Sequence, residues 1–211
     1  MDQKKPTADC PPPAADCPLP TAYCPLPTVE WHMSDHERFM AEAIGLASQA
    51  LDAGEFPVGC VIVDENGEIV VRGRRLHSVG PCPSELDHAE ILALRALEAK
   101  GTDTCNRSRL WVYSTLEPCL MCLGALLISG IRHIAYAYED AMGGACRCEL
   151  QGLSPLYTDH PVTIIPGVLR NPSLRLFQSF FRDPRNSYWQ GSLLAGYTLN
   201  CPDEPDESIA L

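Results

Sequence analysis

Three side chains suited to holding a divalent metal, with a carboxylate beside them, lie in His88-Ala89-Glu90 and in Pro118-Cys119-Leu120-Met121-Cys122. One imidazole and two thiolates make a zinc donor set, and three protein ligands leave the fourth position open to water. Zinc lowers the pKa of such a water to about 7, which makes hydroxide available at neutral pH. Glu90 is then free to carry the proton from that water to a leaving group. A Cys-x-x-Cys pair alone would also suit a redox couple or half of a structural zinc site. The nearest second pair, Cys146-Arg147-Cys148, has one intervening residue, fewer than the about two to four usual between ligands. A structural site would also leave Glu90 without a role.

The elements around these residues are readable from periodicity. Cys119 and Cys122 are three apart and so share one helix face, and the apolar run Leu120–Ile128 supplies the helix, with Gly130 as its stop. His88 and Glu90 open a second helix, Ala89–Lys100, whose Ile91, Leu92, Leu94 and Leu97 face inward. Each helix N-terminus favours negative charge and lowers thiol pKa. Ser34-Asp35-His36-Glu37 reads as a capping box for a helix running to about Asp52. Val58–Asp64 and Glu68–Arg74 flank Glu65-Asn66-Gly67, a hairpin signal. Leu110–Ser114 and Ile131–Tyr138 bracket the cysteine helix, and strand–helix alternation there predicts parallel pairing. Further on, Val162–Ile165 reads as a strand and Leu174–Phe181 as a helix, while Tyr188, Trp189, Leu193, Leu194 and Tyr197 make a segment apolar enough to dock.

With these motifs in place, the chain resembles the cytidine-deaminase-like superfamily, and within it the bacterial tRNA adenosine deaminases. The resemblance runs from about Ser34 to about Arg185 and includes Glu55-Phe56-Pro57-Val58-Gly59, His88 through Arg95, Thr115 through Ala125, and Phe180-Phe181-Arg182. Guanine deaminases and fungal-type cytosine deaminases share much of it, so the motifs name the chemistry better than the substrate. The resemblance implies a three-layer α/β/α fold with a mixed five-stranded sheet. It also implies zinc on His88, Cys119 and Cys122, with Glu90 as the catalytic proton carrier. The pocket wall would come from Phe56, Pro57 and Val58, with Ala89 and Pro118 as further substrate contacts. A homodimer is the expected assembly. Most members carry an Asn eleven residues before the zinc-binding histidine; counted that way, the position here is His77, whose imidazole offers one donor and one acceptor to a ring edge.

Composition bears on the partner. The net charge is −11, whereas surfaces that bind large RNA are usually basic. Basic clusters do occur at Arg72/Arg74/Arg75, Arg107/Arg109 and Arg182/Arg185. Residues 1–33 hold three copies of a proline- and cysteine-rich heptapeptide around Cys10, Cys17 and Cys24, a composition that favours an extended, solvated tail. Residues 34–185 form the deaminase domain, and residues 186–211 a C-terminal extension with an acidic tip. Neither a signal-type apolar segment nor a run of about 20 apolar residues is present, so the expectation is a cytoplasmic protein with reduced cysteines.

The expected function is hydrolytic deamination of a nucleobase amine, first adenosine to inosine in tRNA. The alternatives are a deaminase of a free base or nucleoside such as guanine or cytosine, and a non-catalytic zinc scaffold that binds RNA or a deaminase partner. The intact Glu90 argues against the scaffold.

Overall fold

The computed structural model describes residues 31–101, 104–158 and 161–202. The expected tail lies outside them, except for its last three residues, as does the acidic tip. Helices α1 (Met33–Asp52), α2 (Ala89–Ala99), α3 (Leu120–Ile128), α4 (Pro155–Thr158), α5 (Arg170–Arg182) and α6 (Leu193–Asn200) surround one sheet. Its strands are β1 (Gly59–Val63), β2 (Ile69–Arg74), β3 (Trp111–Leu116), β4 (His133–Tyr138) and β5 (Thr163–Ile165), in the order β2-β1-β3-β4-β5. β1 pairs antiparallel with β2 and β3, while β3–β4 and β4–β5 are parallel. The fold is therefore the mixed α/β sheet expected from the sequence. No helix among the described residues is long and apolar enough to cross a membrane.

Central strands β1 and β3 are buried at every position, because helices cover both faces and remove the need for polar alternation. On one face α1 sets Phe39, Met40 and Ala43 against Val61, Val63, Trp111 and Tyr113. On the other, Ala93, Leu97, Leu123 and Leu126 from α2 and α3 pack with Cys60, Ile62, Val112 and Ile134. Edge strand β2 exposes Arg72, and edge strand β5 is three residues long, both ordinary defences of an open edge.

Two glycines let helices approach the sheet. A Cβ on Gly59 would overlap the Ala43 carbonyl oxygen of α1, and one on Gly73 would overlap the Ala89 carbonyl oxygen of α2. Both obstacles are backbone, so neither can yield by a side-chain rotation. Gly73→Ala should therefore push α2, and with it His88 and Glu90, off the sheet. We expect a loss of about 1–3 kcal/mol, read as a Tm drop of about 2–4 °C per kcal/mol, with activity falling alongside. An unchanged melt would mean that α2 has room to spare.

Several boundaries differ from the sequence reading. α1 starts two residues earlier than the Ser34 box: His32 is its N-cap, and the Asp35 carboxylate accepts from the His32 N–H at 3.2 Å. α5 begins at Arg170, not Leu174, because Pro172 lies in the first turn, where a missing N–H costs no intrahelical bond. The segment after Ser187 contains a further helix, α6, whose N-cap Ser192 hydroxyl accepts from the Ala195 N–H at 3.1 Å.

Candidate active site

The N-terminal ends of α2 and α3 meet on one face of the sheet. His88 is the N-cap of α2 and Cys119 the N-cap of α3. Cys122 lies one turn further into α3 and is fully buried. The Nδ1 atom of His88 is 3.6 Å from Cys119 Sγ and 3.4 Å from Cys122 Sγ. All three donor atoms fall within 4.8 Å of one another.

This spacing tests the fit to zinc. Bonds of about 2.3 Å to sulfur and about 2.1 Å to nitrogen, spread tetrahedrally, put N and S roughly 3.6 Å apart, which is the observed separation. The charge state agrees. The hydrogen bond from the Cys122 thiol, opposed by burial and helped by His88, holds Cys119 down at about 4. The same bond, reinforced by burial, pushes Cys122 far up.

Glu90 occupies the first turn of α2 and is 3% exposed. The Ser114 hydroxyl on β3 donates to Oε1 at 2.8 Å, leaving Oε2 turned toward Cys122 Sγ at 3.5 Å. Burial pushes the Glu90 carboxyl upward, against the opposing pull of His88. A carboxyl raised in this way exchanges protons nearer neutral pH than a solvated one.

Beside Glu90 opens a cavity of about 130 Å³ lined by Phe56, Val58, Arg75, His88, Ala89, Cys119, Met142, Tyr188, Trp189 and Leu194, among others. Sequence reasoning had put forward Phe56, Val58 and Ala89, and they line it. Pro57 and Pro118 do not; Pro118 instead accepts from the Ala145 N–H at 3.0 Å through its carbonyl. His77 lies outside the lining. Its backbone is left-handed (φ 56°), its side chain is 64% exposed, and Nδ1 lies 2.9 Å from Asp87 Oδ2.

The polar side chain that the β2–α2 loop does contribute is Arg75, two residues before His77. Sequence reasoning had grouped it with surface arginines, yet its side chain is 2% exposed. Its place at the end of β2, after the inward-facing Gly73, was the available signal.

Support comes from a loop pinned to the start of α3. Glu117, inside the recognised motif but given no role there, accepts from the N–H groups of Asp140 at 3.2 Å and Cys146 at 3.0 Å. Gly144 allows this: a Cβ there would overlap the Glu117 carboxylate. Asp140 Oδ1 in turn accepts from the N–H groups of Met142 and Gly143, each at 2.9 Å. On the opposite side, Ser78 Oγ accepts from the Phe56 N–H at 2.8 Å, fixing the aromatic wall. The C-terminal segment lines the cavity too: Tyr188 stands edge-on to Phe56 with ring centroids 5.3 Å apart.

Comparison with known proteins agrees with this arrangement. Residues 33–138 match the family described as "Cytidine and deoxycytidylate deaminase zinc-binding region". The tRNA-specific adenosine deaminase of Bacillus subtilis is 34% identical over 154 residues, 72% of this chain and 92% of that protein. That of Haemophilus influenzae is 34% identical over 149 residues, covering 71% and 84%. Among solved structures, one from work on A-to-I editing by tRNA:A34 deaminases superposes with a TM-score of 0.55 at 31% identity, over 66% of this chain and 98% of that one. A protein crystallised with 8-azaguanine gives 0.55 at 25% identity, over 69% and 83%. With the family model spanning half of the chain and relatives of this identity and coverage, the chain belongs to the zinc-binding cytidine and deoxycytidylate deaminase family.

Proposed function

We propose that this deaminase hydrolyses the exocyclic amine of a nucleobase taken as a free base or nucleoside, in the cavity beside Glu90. The observation that carries this reading is that the chain's own C-terminal segment covers one side of that cavity, through Tyr188, Trp189 and Leu194. Such a cover suits a small substrate, whereas a base in folded RNA enters with its flanking phosphates. Five of the seven expected phosphate-binding arginines are also paired or buried. Arg72 pairs with Glu42 at 3.3 Å, Arg109 with Glu65 at 2.9 Å and Arg185 with Asp183 at 2.6 Å. Arg75 and Arg107 are buried.

His88, Cys119 and Cys122 would hold zinc. Bound there, zinc supplies a water acidic enough to act as a nucleophile at neutral pH. Glu90 Oε2 accepts the proton of the attacking water while Ser114 keeps Oε1 in place. The same carboxyl then gives that proton to the departing amine, which leaves as ammonia. Phe56, Val58 and Leu116 exclude bulk water and hold the flat ring. We further propose that the protein is cytoplasmic and forms a homodimer; the dimer is supported by Leu120 and Ile128 of α3, which are 68% and 60% exposed.

Adenosine in tRNA is the second reading, favoured by what the Bacillus and Haemophilus relatives are said to act on. One assay separates the two: ammonia release from bases and nucleosides, beside inosine formation in an anticodon stem-loop, across a salt series. We expect turnover of small substrates with little salt dependence. Turnover confined to the stem-loop, weakening steeply with salt as phosphate contacts require, would sink the first reading.

A further inference from the structure

Arg75 is the only arginine or lysine among the described residues that lines the cavity. Guanidinium groups are almost never fully buried unless paired, and the pairing here is incomplete. Nη2 donates to the Ser84 carbonyl at 2.8 Å and to the Tyr188 hydroxyl at 3.3 Å. The nearest carboxylate, on Glu85, is 3.7 Å away and its side chain is 62% exposed. Nε and Nη1 are buried with no hydrogen-bond partner among the described residues. The acids facing the cavity are occupied: Glu117 and Asp140 by backbone N–H groups, and Glu90 by Ser114. Native proteins rarely leave buried donors orphaned, and one beside a binding cavity has a ready partner in the ligand.

We propose that Arg75 donates to an exocyclic oxygen and the ring nitrogen next to it on the substrate, selecting oxo-bearing amino bases of the guanine or cytosine type over adenine. This inference rests on the small-substrate reading above. A guanidinium only donates, through a rigid planar set of N–H groups, and its best partner on a base is a pair of adjacent acceptors. Guanine presents O6 beside N7, and cytosine presents O2 beside N3. Adenosine has no such pair, since each acceptor nitrogen stands next to the amine, a C–H or a ring carbon. Because the Arg75 side chain is shielded from water, a base lacking the oxygen would leave the donors unpaired, which is how a hydrogen-bonding pocket rejects an analogue.

The test uses the full-length, zinc-loaded Glu90→Gln protein, which holds ligand without turnover. Calorimetry compares pairs that differ by the oxo group and the lactam N–H that goes with it: guanine with 2-aminopurine, and cytosine with 4-aminopyrimidine. In one pair we expect the oxo member to bind about 10–100-fold tighter, and Arg75→Lys or Arg75→Gln to bring that ratio close to one. A role limited to bracing Ser84 and Tyr188 would weaken both members equally and leave the ratio intact, which would overturn the proposal. Both variants are checked by melting, and the lysine keeps the charge should the glutamine fail to fold. Ammonia release by the wild-type enzyme separates the two levels of the argument. Turnover of free adenosine with oxo-bearing bases inert would overturn the role of Arg75 and leave the small-substrate reading standing. Binding and turnover confined to an adenosine stem-loop would overturn that reading itself.

Discussion

Glu90→Gln should abolish turnover while leaving fold and zinc content nearly unchanged. The amide is the same size, and its oxygen can still accept from the Ser114 hydroxyl that now holds Oε1 at 2.8 Å. What it cannot do is take up a proton and release it again. General acid–base steps typically contribute about 10²–10⁴-fold, and a carboxyl that serves both the attack and the departure of ammonia should reach or exceed the upper end. Glu90 donates no metal-facing atom to the His88/Cys119/Cys122 group, so metal analysis should read the same for variant and wild type. A rate near wild type, with metal content and melting intact, would show that the proton travels by another group.

The chemistry-bearing residues were legible because their identity and spacing carry the signal: two ligands one helical turn apart, and a histidine and a glutamate at the start of a second helix. Burial patterns were legible too, since β1 is a continuous apolar run and α2 and α3 have inward stripes. The pocket's polar reader was not. Counting eleven residues back from His88 lands on His77, and sequence distance alone does not say which way the β2–α2 loop turns that side chain. Left-handed backbone at His77 turns that side chain out to Asp87, while Arg75, still in register with β2, stays inside. Composition misled in the same place. Three arginines in a row of four residues look like a basic surface, but the strand sends Arg72 outward and leaves Arg75 buried. The roof over the cavity was visible only as an aromatic run, because its contacts to Phe56 and Arg75 span more than a hundred residues of chain.

Cys119→Ala and Cys122→Ala should each lose zinc and much of the stability together. Two helix N-termini and two thiols converge on the His88 ring. Metal binding ties α2 to α3, so its free energy becomes folding free energy. For structural zinc in small peptides this is about 10–16 kcal/mol; the domain here has a full hydrophobic core and should survive as a destabilised fold. The wild-type protein is expected to carry about one zinc per chain, with a Tm that drops when a chelator strips it. Each single variant should contain far less metal and melt near the stripped wild type, with little further response to chelator. Cys122 should be the costlier loss, since its side chain is fully buried whereas Cys119 is half-exposed, and truncation leaves a cavity as well as an empty coordination site. Stoichiometric zinc retained by the double variant would place the metal on other residues and remove the basis for a nucleophilic water beside Glu90.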